Sequence, residues 1–183
     1  MSDFLPTSYT VPDKSNGYMK FRQGENRFRI LASPILGYEW WIDEDGKRKP
    51  MRVRMNGRVP IEFADTTKHF WAMPVWNYEI QQVQILEITQ KGLQKTLASL
   101  AKHPKWGTPL GYDLLVERSG EGLETEYSLT PEPKEALDPE IQTVFNRLTI
   151  NLEALYDGAD PFAETVDVSD IDLGDSRLTS EGS

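Results

Sequence analysis

The chain has 183 residues, a net charge of −9 at neutral pH and no cysteine. This length favours one domain with an appendage, and the lack of cysteine excludes disulfides and thiolate metal sites. Neither a run of about 18 apolar residues nor a basic region followed by an apolar one is present, so we expect no membrane span, no signal peptide and a cytoplasmic protein.

The negative charge is concentrated in the C-terminal third of the chain. Residues 14–118 contain 17 Lys and Arg against 11 Asp and Glu, whereas residues 119–183 contain 3 against 16. This asymmetry predicts a mildly basic body joined to a strongly acidic tail. Acidic ends also occur simply for solubility, so the charge pattern alone does not define a function.

The first half of the chain predicts short strands, because apolar and polar residues alternate between clusters of turn formers. A polar, flexible arm covers residues 1–17. The strands that follow are predicted at residues 18–21, 27–31, 38–42 and 51–55. Between the last two strands, Asp45-Gly46 predicts a hairpin turn.

The second half opens on a stretch rich in aromatic residues, residues 68–88. The elements predicted from here are strands at 70–75, 76–88, 112–118 and 124–130, with a helix at 90–102 between the second and third of them. Pro74 is expected to bend or end the first of these strands, and Thr89 to cap the helix.

A second helix is predicted to begin at Asp138-Pro139, an acidic cap followed by proline at the first helical position. Its apolar periodicity extends to residue 157, and Gly158 closes it. Residues 158–183 are acidic and lack periodicity, which predicts a disordered acidic tail.

The order of these elements predicts a mainly β protein with helices. Short strands, a long strand, a helix and a hairpin follow one another as in an OB-fold, a five-stranded barrel with a helix between strands 3 and 4. We place this domain at residues 18–133, with the C-terminal helix at 134–157 packed on the domain or on a partner. Another small β-barrel or a β-sandwich with helices are the alternatives.

Several short motifs, in this order and spacing, resemble those of the single-stranded DNA-binding replication proteins of tailed bacteriophages. The similarity covers roughly residues 18–130. The motifs are Tyr18-Met19-Lys20-Phe21, Asn26-Arg27-Phe28-Arg29-Ile30-Leu31, Phe70-Trp71-Ala72, Trp76-Asn77-Tyr78, Ile85-Leu86-Glu87-Ile88-Thr89-Gln90-Lys91, Trp106-Gly107-Thr108-Pro109 and Tyr112-Asp113.

The resemblance implies an OB-fold and sequence-tolerant binding of single-stranded DNA in replication or recombination, in the bacterial host cytoplasm if the protein is phage-encoded. It also implies contacts of the acidic tail with replication or recombination proteins. The chain departs from the family in two ways. It has no cysteine for the zinc site of some phage relatives, and Asp160-Pro161-Phe162 is the nearest match to an acidic tip with an aromatic residue.

Binding of single-stranded DNA requires flat aromatic faces for bases and cations along the phosphates. The stacking candidates are Tyr38, Trp40 or Trp41, Phe70 or Trp71, Trp76 and Tyr78. Only one member of each adjacent pair can face a groove, and core packing is the commoner role of any single aromatic, although their clustering near cations favours a binding surface for the set. The phosphate candidates are Arg48, Lys49, Arg52, Arg54, Arg58, Lys68 and Lys91. The same contacts suit RNA.

The sequence gives less support to other classes of function. The two histidines, His69 and His103, have no metal-ligand spacing, and no nucleophile elbow or phosphate loop occurs, so we expect no enzyme, no cofactor and no metal. A nuclease is the weaker alternative. The stronger alternative is a protein-interaction module with an acidic, DNA-mimicking tail. Weak self-association is also compatible with the sequence.

The acidic tail is expected to bind partner proteins and to compete with DNA for a basic groove. Its candidate residues are Asp160, Phe162, Asp167, Asp170, Asp172 and Asp175. Removing residues 157–183 should therefore tighten DNA binding, most at low ionic strength, where charges are least screened. Titration with labelled oligo-dT measures this effect, and an unchanged affinity in low salt would contradict autoinhibition.

Overall fold

The protein was analysed as a computed structural model that describes residues 17–165. It is mainly β, with one antiparallel seven-stranded sheet. The strands are β1 (Gly24–Ile30), β2 (Ile35–Glu44), β3 (Lys47–Arg54), β4 (Lys68–Asn77), β5 (Gln82–Ile88), β6 (Leu114–Ser119) and β7 (Glu126–Pro131). The helices are α1 (Lys91–Lys102) and α2 (Pro139–Asn146). Within the described residues, no helix is long and apolar enough to cross a membrane.

Strand β4 is the centre of the sheet, whose order is β3-β2-β4-β1-β6-β7 with β5 on β4 as well. β1 and β2 both pair with β4, β2 through residues 68–72 and β1 through residues 75–77. Pro74 lies where the partner of β4 changes, and its carbonyl accepts from Leu31 N. A proline is tolerated at this point, so β4 continues through Pro74 rather than ending there.

The predicted long strand over residues 76–88 is wrong, because the chain reverses in the middle of it. β4 ends at Asn77, β5 begins at Gln82, and the two strands pair along their length. Asn77 holds the turn through its carbonyl, which accepts from Gln81 N, and its side-chain oxygen, which accepts from Glu79 N. Gln81 adopts a positive φ of 53°, which is uncommon outside glycine, so the turn lacks a glycine signal.

Alternation along β4 divides the core into two layers. Met73 and Val75 face α1 and join a cluster with Leu93 and Leu97. On the opposite face, Phe70 and its neighbours are buried under the C-terminal segment. The helix supplies its half of the first cluster because its leucines recur every three or four residues. Thr89 does not cap α1, since Gln90 is the N-cap residue and makes no side-chain capping hydrogen bond.

The predicted helix over residues 138–157 is divided in two. Asp138 caps α2 by accepting from Glu140 N, with Pro139 at the first position as expected. α2 ends at Asn146, and a 3₁₀ helix, Leu152–Asp157, follows. The intervening chain pairs with the segment that comes after Gly158, because Asn151 N donates to Pro161 O. Part of the predicted tail, residues 158–165, is therefore folded onto the body.

The N-terminal end of the described chain lies between β5 and β7, which do not pair with each other within residues 17–165. Met19 N donates to Ile85 O on β5, and Phe21 packs against Tyr127 on β7. The predicted strand at 18–21 is reduced to a single bridge between Tyr18 and Ile85. This segment occupies the open side of the sheet.

Candidate nucleic-acid interface

A groove of about 810 Å³ runs between the β2–β4 face of the sheet, helix α1 and the loop after β3. We call it the aromatic–lysine groove. Its lining residues are Tyr38, Gly57, Val59, Ala64, Thr67, Lys68, His69, Trp71, Thr89, Lys91, Gln94, Lys95 and Ala98. The set holds three lysines and no acidic residue, so the groove is positively charged.

Three rings form a row along the floor of this groove. Tyr38 on β2 pairs with His69 on β4, and their ring centroids are 5.6 Å apart. Trp71 follows two residues after His69 and shares its face of β4. The row therefore presents a continuous aromatic surface, of the kind on which nucleobases stack.

His69 fixes the orientation of the Trp71 indole. Trp71 Nε1 donates to His69 Nε2 at 3.1 Å, and His69 Nδ1 lies 2.8 Å from Gly37 O. A carbonyl only accepts and an indole N–H only donates, so the two partners require a neutral His69 with its proton on Nδ1. Gly37 also allows β3 to approach β2 closely, since a Cβ at this position would lie 2.0 Å from Val53 O.

The lysines stand on both sides of the aromatic row. Lys68 precedes His69 on β4, and Lys91 and Lys95 project from the first turns of α1. All three side chains are exposed. Gln94, between the two helical lysines, donates through Nε2 to His69 O and Ile88 O and so ties α1 to the strands.

The structure brings together four of the residues predicted from sequence, namely Tyr38, Lys68, Trp71 and Lys91. Sequence reasoning missed His69, Gln94 and Lys95. Lys95 carried a usable signal, because it lies four residues after Lys91 and away from the leucine stripe, so both lysines share a helix face. His69 was considered only as a catalytic or metal-binding residue, and its packing role has no sequence signature.

Three predicted stacking residues are buried and present no face to a base. Trp40 packs against Phe63 with ring centroids 6.2 Å apart. Phe70 is 0% exposed, and Trp76, at 8%, packs against Ile141 of α2. Alternation along β4 sends Phe70 and Trp76 to the face opposite Trp71. In the pair Phe70 and Trp71, only Trp71 is available for stacking.

Tyr78 is held in a polar network away from the groove. Its hydroxyl donates to Asp113 Oδ1 at 2.7 Å, and the Arg27 guanidinium lies 4.7 Å from its ring centroid. Burial, together with the hydrogen bond to Asp113, raises the pKa of Tyr78. Asp113 also accepts from Arg27 and from the buried Arg29. The Tyr78 hydroxyl therefore links the residue that follows β4 to the residue that precedes β6.

The β2–β3 hairpin forms a separate exposed site. Asp45-Gly46 makes its turn, as predicted. Trp41 is 41% exposed, with the Arg48 guanidinium 5.1 Å from its ring centroid. Lys49 lies 3.5 Å from the Glu44 carboxylate. These residues can contact a ligand, but none of them lines the aromatic–lysine groove, and Trp41 lies on the other face of β2 from Tyr38.

Arg52 is committed to two carboxylates and is not available to a phosphate. Its Nη2 donates to Glu87 Oε2 at 2.7 Å, and its Nε lies 3.3 Å from Glu39 Oε2 outside hydrogen-bond geometry. All three side chains are largely buried. Burial is the main cause that raises the pKa of Glu39 to about 8, and a hydrogen bond to Glu87 and the negative charge of Glu87 raise it further. The positive charge of Arg52 acts in the opposite direction.

The two remaining arginine candidates differ in their surroundings. Arg54 donates to Glu153 at 2.7 Å, and its guanidinium lies 4.4 Å from the Tyr156 ring centroid. This pair fastens the C-terminal segment to β3. Arg58 is exposed, between two residues that line the groove, Gly57 and Val59. Arg58 thus extends the basic rim, whereas Arg54 is a packing residue.

The predicted tail residues fall into two groups. Asp160 accepts from Phe162 N, and Phe162 packs against the cluster around Phe70. Both belong to the folded body. The other candidates, Asp167, Asp170, Asp172 and Asp175, lie outside the described residues.

Across residues 17–165, no group of three or more His, Cys, Asp or Glu is placed to hold a metal ion. The chain matches no family model, and comparisons with curated proteins and with solved structures found no match either. The geometry of the groove and the chemistry of its residues therefore carry the functional argument.

The Glu39 carboxyl makes stability depend on pH. Its folded-state pKa of about 8 exceeds the reference value of 4.5, so the folded protein holds this proton more tightly than the unfolded chain. The resulting contribution to the free energy of unfolding is complete below about pH 4.5 and is lost as the pH rises towards 8. Glu39→Gln mimics the protonated form and lacks this loss. We expect the unfolding free energy of the wild type to fall relative to the variant, by on the order of a few kcal/mol, between about pH 5 and 8.5.

Urea denaturation of both proteins across this pH range measures the difference. Glu44→Gln, at an exposed carboxylate beside Lys49, is the matched control and should give a nearly constant difference from the wild type. A pH-independent difference for Glu39→Gln would contradict the raised pKa of Glu39.

Proposed function

We propose that the protein binds single-stranded DNA in the aromatic–lysine groove without sequence-specific hydrogen bonding. The single observation that carries the proposal is the row of three partly exposed rings, Tyr38, His69 and Trp71, between lysines, with no acidic residue in the lining. Stacking accepts any base because every base has a π-face, and the lysines offer cations to the phosphates.

The route of the chain supports an OB-type reading of the sheet. β1 and β2 follow one another along β4, so they act as one bent strand. If the end of β2 and β3 are treated as a hairpin that extends from this bent strand, the elements follow one another along the chain as the bent strand, β4, β5, α1, β6 and β7. We propose an open variant of the OB-fold, in which α1 lies between the third and fourth strands and residues 17–21 fill the side between β5 and β7.

A role in phage DNA replication or recombination, with partner proteins bound by the acidic tail, remains part of this proposal. It is supported by the resemblance of the sequence motifs and by the acidic composition of residues 157–183. Because residues 158–165 pack on the body, a truncation that tests the tail is best begun after Thr165. The groove suits RNA by the same chemistry.

Trp71 is the residue whose loss should affect binding most. Trp71→Ala is expected to weaken oligo-dT binding by about 5- to 150-fold, the loss of one stacked base at about 1–3 kcal/mol. Oligo-dT should quench tryptophan fluorescence of the wild type, and most of this quenching should disappear in Trp71→Phe. Fluorescence and anisotropy titrations, with duplex DNA as competitor, measure both effects.

Trp41→Ala is the matched control, because Trp41 is an exposed tryptophan outside the groove. Because no base is expected to stack on Trp41, this variant should bind oligo-dT within about twofold of the wild-type affinity. A larger loss in Trp41→Ala than in Trp71→Ala would move the site to the hairpin. An absence of quenching and of DNA binding in the wild type would favour the protein-interaction alternative.

The helical lysines should set part of the salt dependence. Each phosphate contact on a single strand contributes about 0.7 to the slope of log affinity against log salt, so replacing both Lys91 and Lys95 by Gln should reduce the slope by about 1.4. The double variant of Lys102 and Lys105 to Gln removes the same charge near the other end of α1. An equal change of slope in the two double variants would indicate a general effect of charge and would contradict phosphate binding by Lys91 and Lys95 in the groove.

A further inference from the structure

An apolar pocket of about 240 Å³ adjoins the aromatic–lysine groove. Trp71 and Ala98 line both of them, so one wall is shared. Leu97 and Ala101 of α1 and Leu110 also line the pocket. A strand that stacks a base on Trp71 therefore has this pocket immediately beside it.

The pocket is lined almost wholly by apolar side chains. Ser33 and Thr108 are the two lining residues with a hydroxyl group, and no charged residue is present among those that line it. At its rim, Leu36 is 39% and Leu110 is 37% exposed. A volume of about 240 Å³ is below the usual range for drug-sized ligands, about 300–1,000 Å³. A group smaller than a drug-sized ligand and with apolar surface is the occupant that fits.

The bases differ in the apolar surface that they bring. Thymine alone carries a C5-methyl group, which proteins contact with apolar side chains, whereas adenine, cytosine and guanine carry exocyclic amines that need hydrogen-bond acceptors. The lining offers such an amine only two hydroxyl groups as side-chain acceptors, one of which, on Thr108, already accepts from Leu110 N. An amine hydrogen left unpaired there costs free energy. The chemistry of the lining favours thymine.

We propose that the apolar pocket accepts one thymine base of a single strand that lies in the aromatic–lysine groove, and that it discriminates by the 5-methyl group. This rests on the proposed function and adds a preference for thymine-containing strands to it. The base next to the one stacked on Trp71 is the occupant, because the pocket and the groove share the Trp71 wall.

The test compares oligo-dT with oligo-deoxyuridine of the same length, which differ only in the methyl group. Burial of one methyl group should make oligo-dT bind about fourfold more tightly. Ala101→Phe fills the pocket from an exposed helix position that does not line the groove. It should bring the dT-to-dU affinity ratio close to one, whereas Ala101→Ser should keep the wild-type ratio.

The ratio is measured within each variant, so a modest loss of stability in Ala101→Phe does not change the interpretation. Equal binding of the two oligonucleotides by the wild type would overturn the thymine pocket while leaving the proposed function intact. A wild-type ratio retained in Ala101→Phe would place the discrimination elsewhere and also overturn it. Failure of both oligonucleotides to bind would overturn the proposed function and the pocket together.

Discussion

The alternation of side chains along β4 is the constraint on which the rest of the structure depends. β4 pairs with β1, β2 and β5, so both of its edges are hydrogen-bonded, and its two faces pack against α1 and the C-terminal segment. Successive residues must point to opposite faces. This places Trp71 toward α1 and the groove, and Phe70 toward the C-terminal segment. A shift of register by one residue would bury the groove aromatic and expose the core phenylalanine.

The groove is basic because its lining contains lysines and no acidic residue, whereas the nearby arginines of β3 are paired with carboxylates. Arg52 is held by Glu39 and Glu87 in a buried cluster, and Arg54 is paired with Glu153. Desolvation makes such a cluster costly to open, since removing one partner leaves a buried charge unpaired. The lysines that line the groove have no acidic neighbour among its lining residues. The groove is therefore lined by lysines of β4 and α1, whereas Arg52 and Arg54 of β3 are paired with carboxylates.

Much of the fold follows from local signals. Alternation predicted most of the strands, the leucine spacing predicted α1, and Asp138-Pro139 predicted the start of α2. The hairpin at residues 78–81 was missed because Gln81, rather than glycine, adopts the positive φ. The end of α2 at Asn146 was missed, and the chain beyond it is hydrogen-bonded to a distant segment through Thr149 and Thr165.

The sequence by itself determined that the protein is mainly β, where its aromatic residues are concentrated and how its charge is divided between body and tail. Only the tertiary structure decided which member of each aromatic pair is exposed and which cations are neutralised. The physical reason is that burial and ion pairing depend on contacts between distant segments, such as Trp76 with Ile141 and Arg52 with Glu87. Residue type and local spacing carry no record of those contacts.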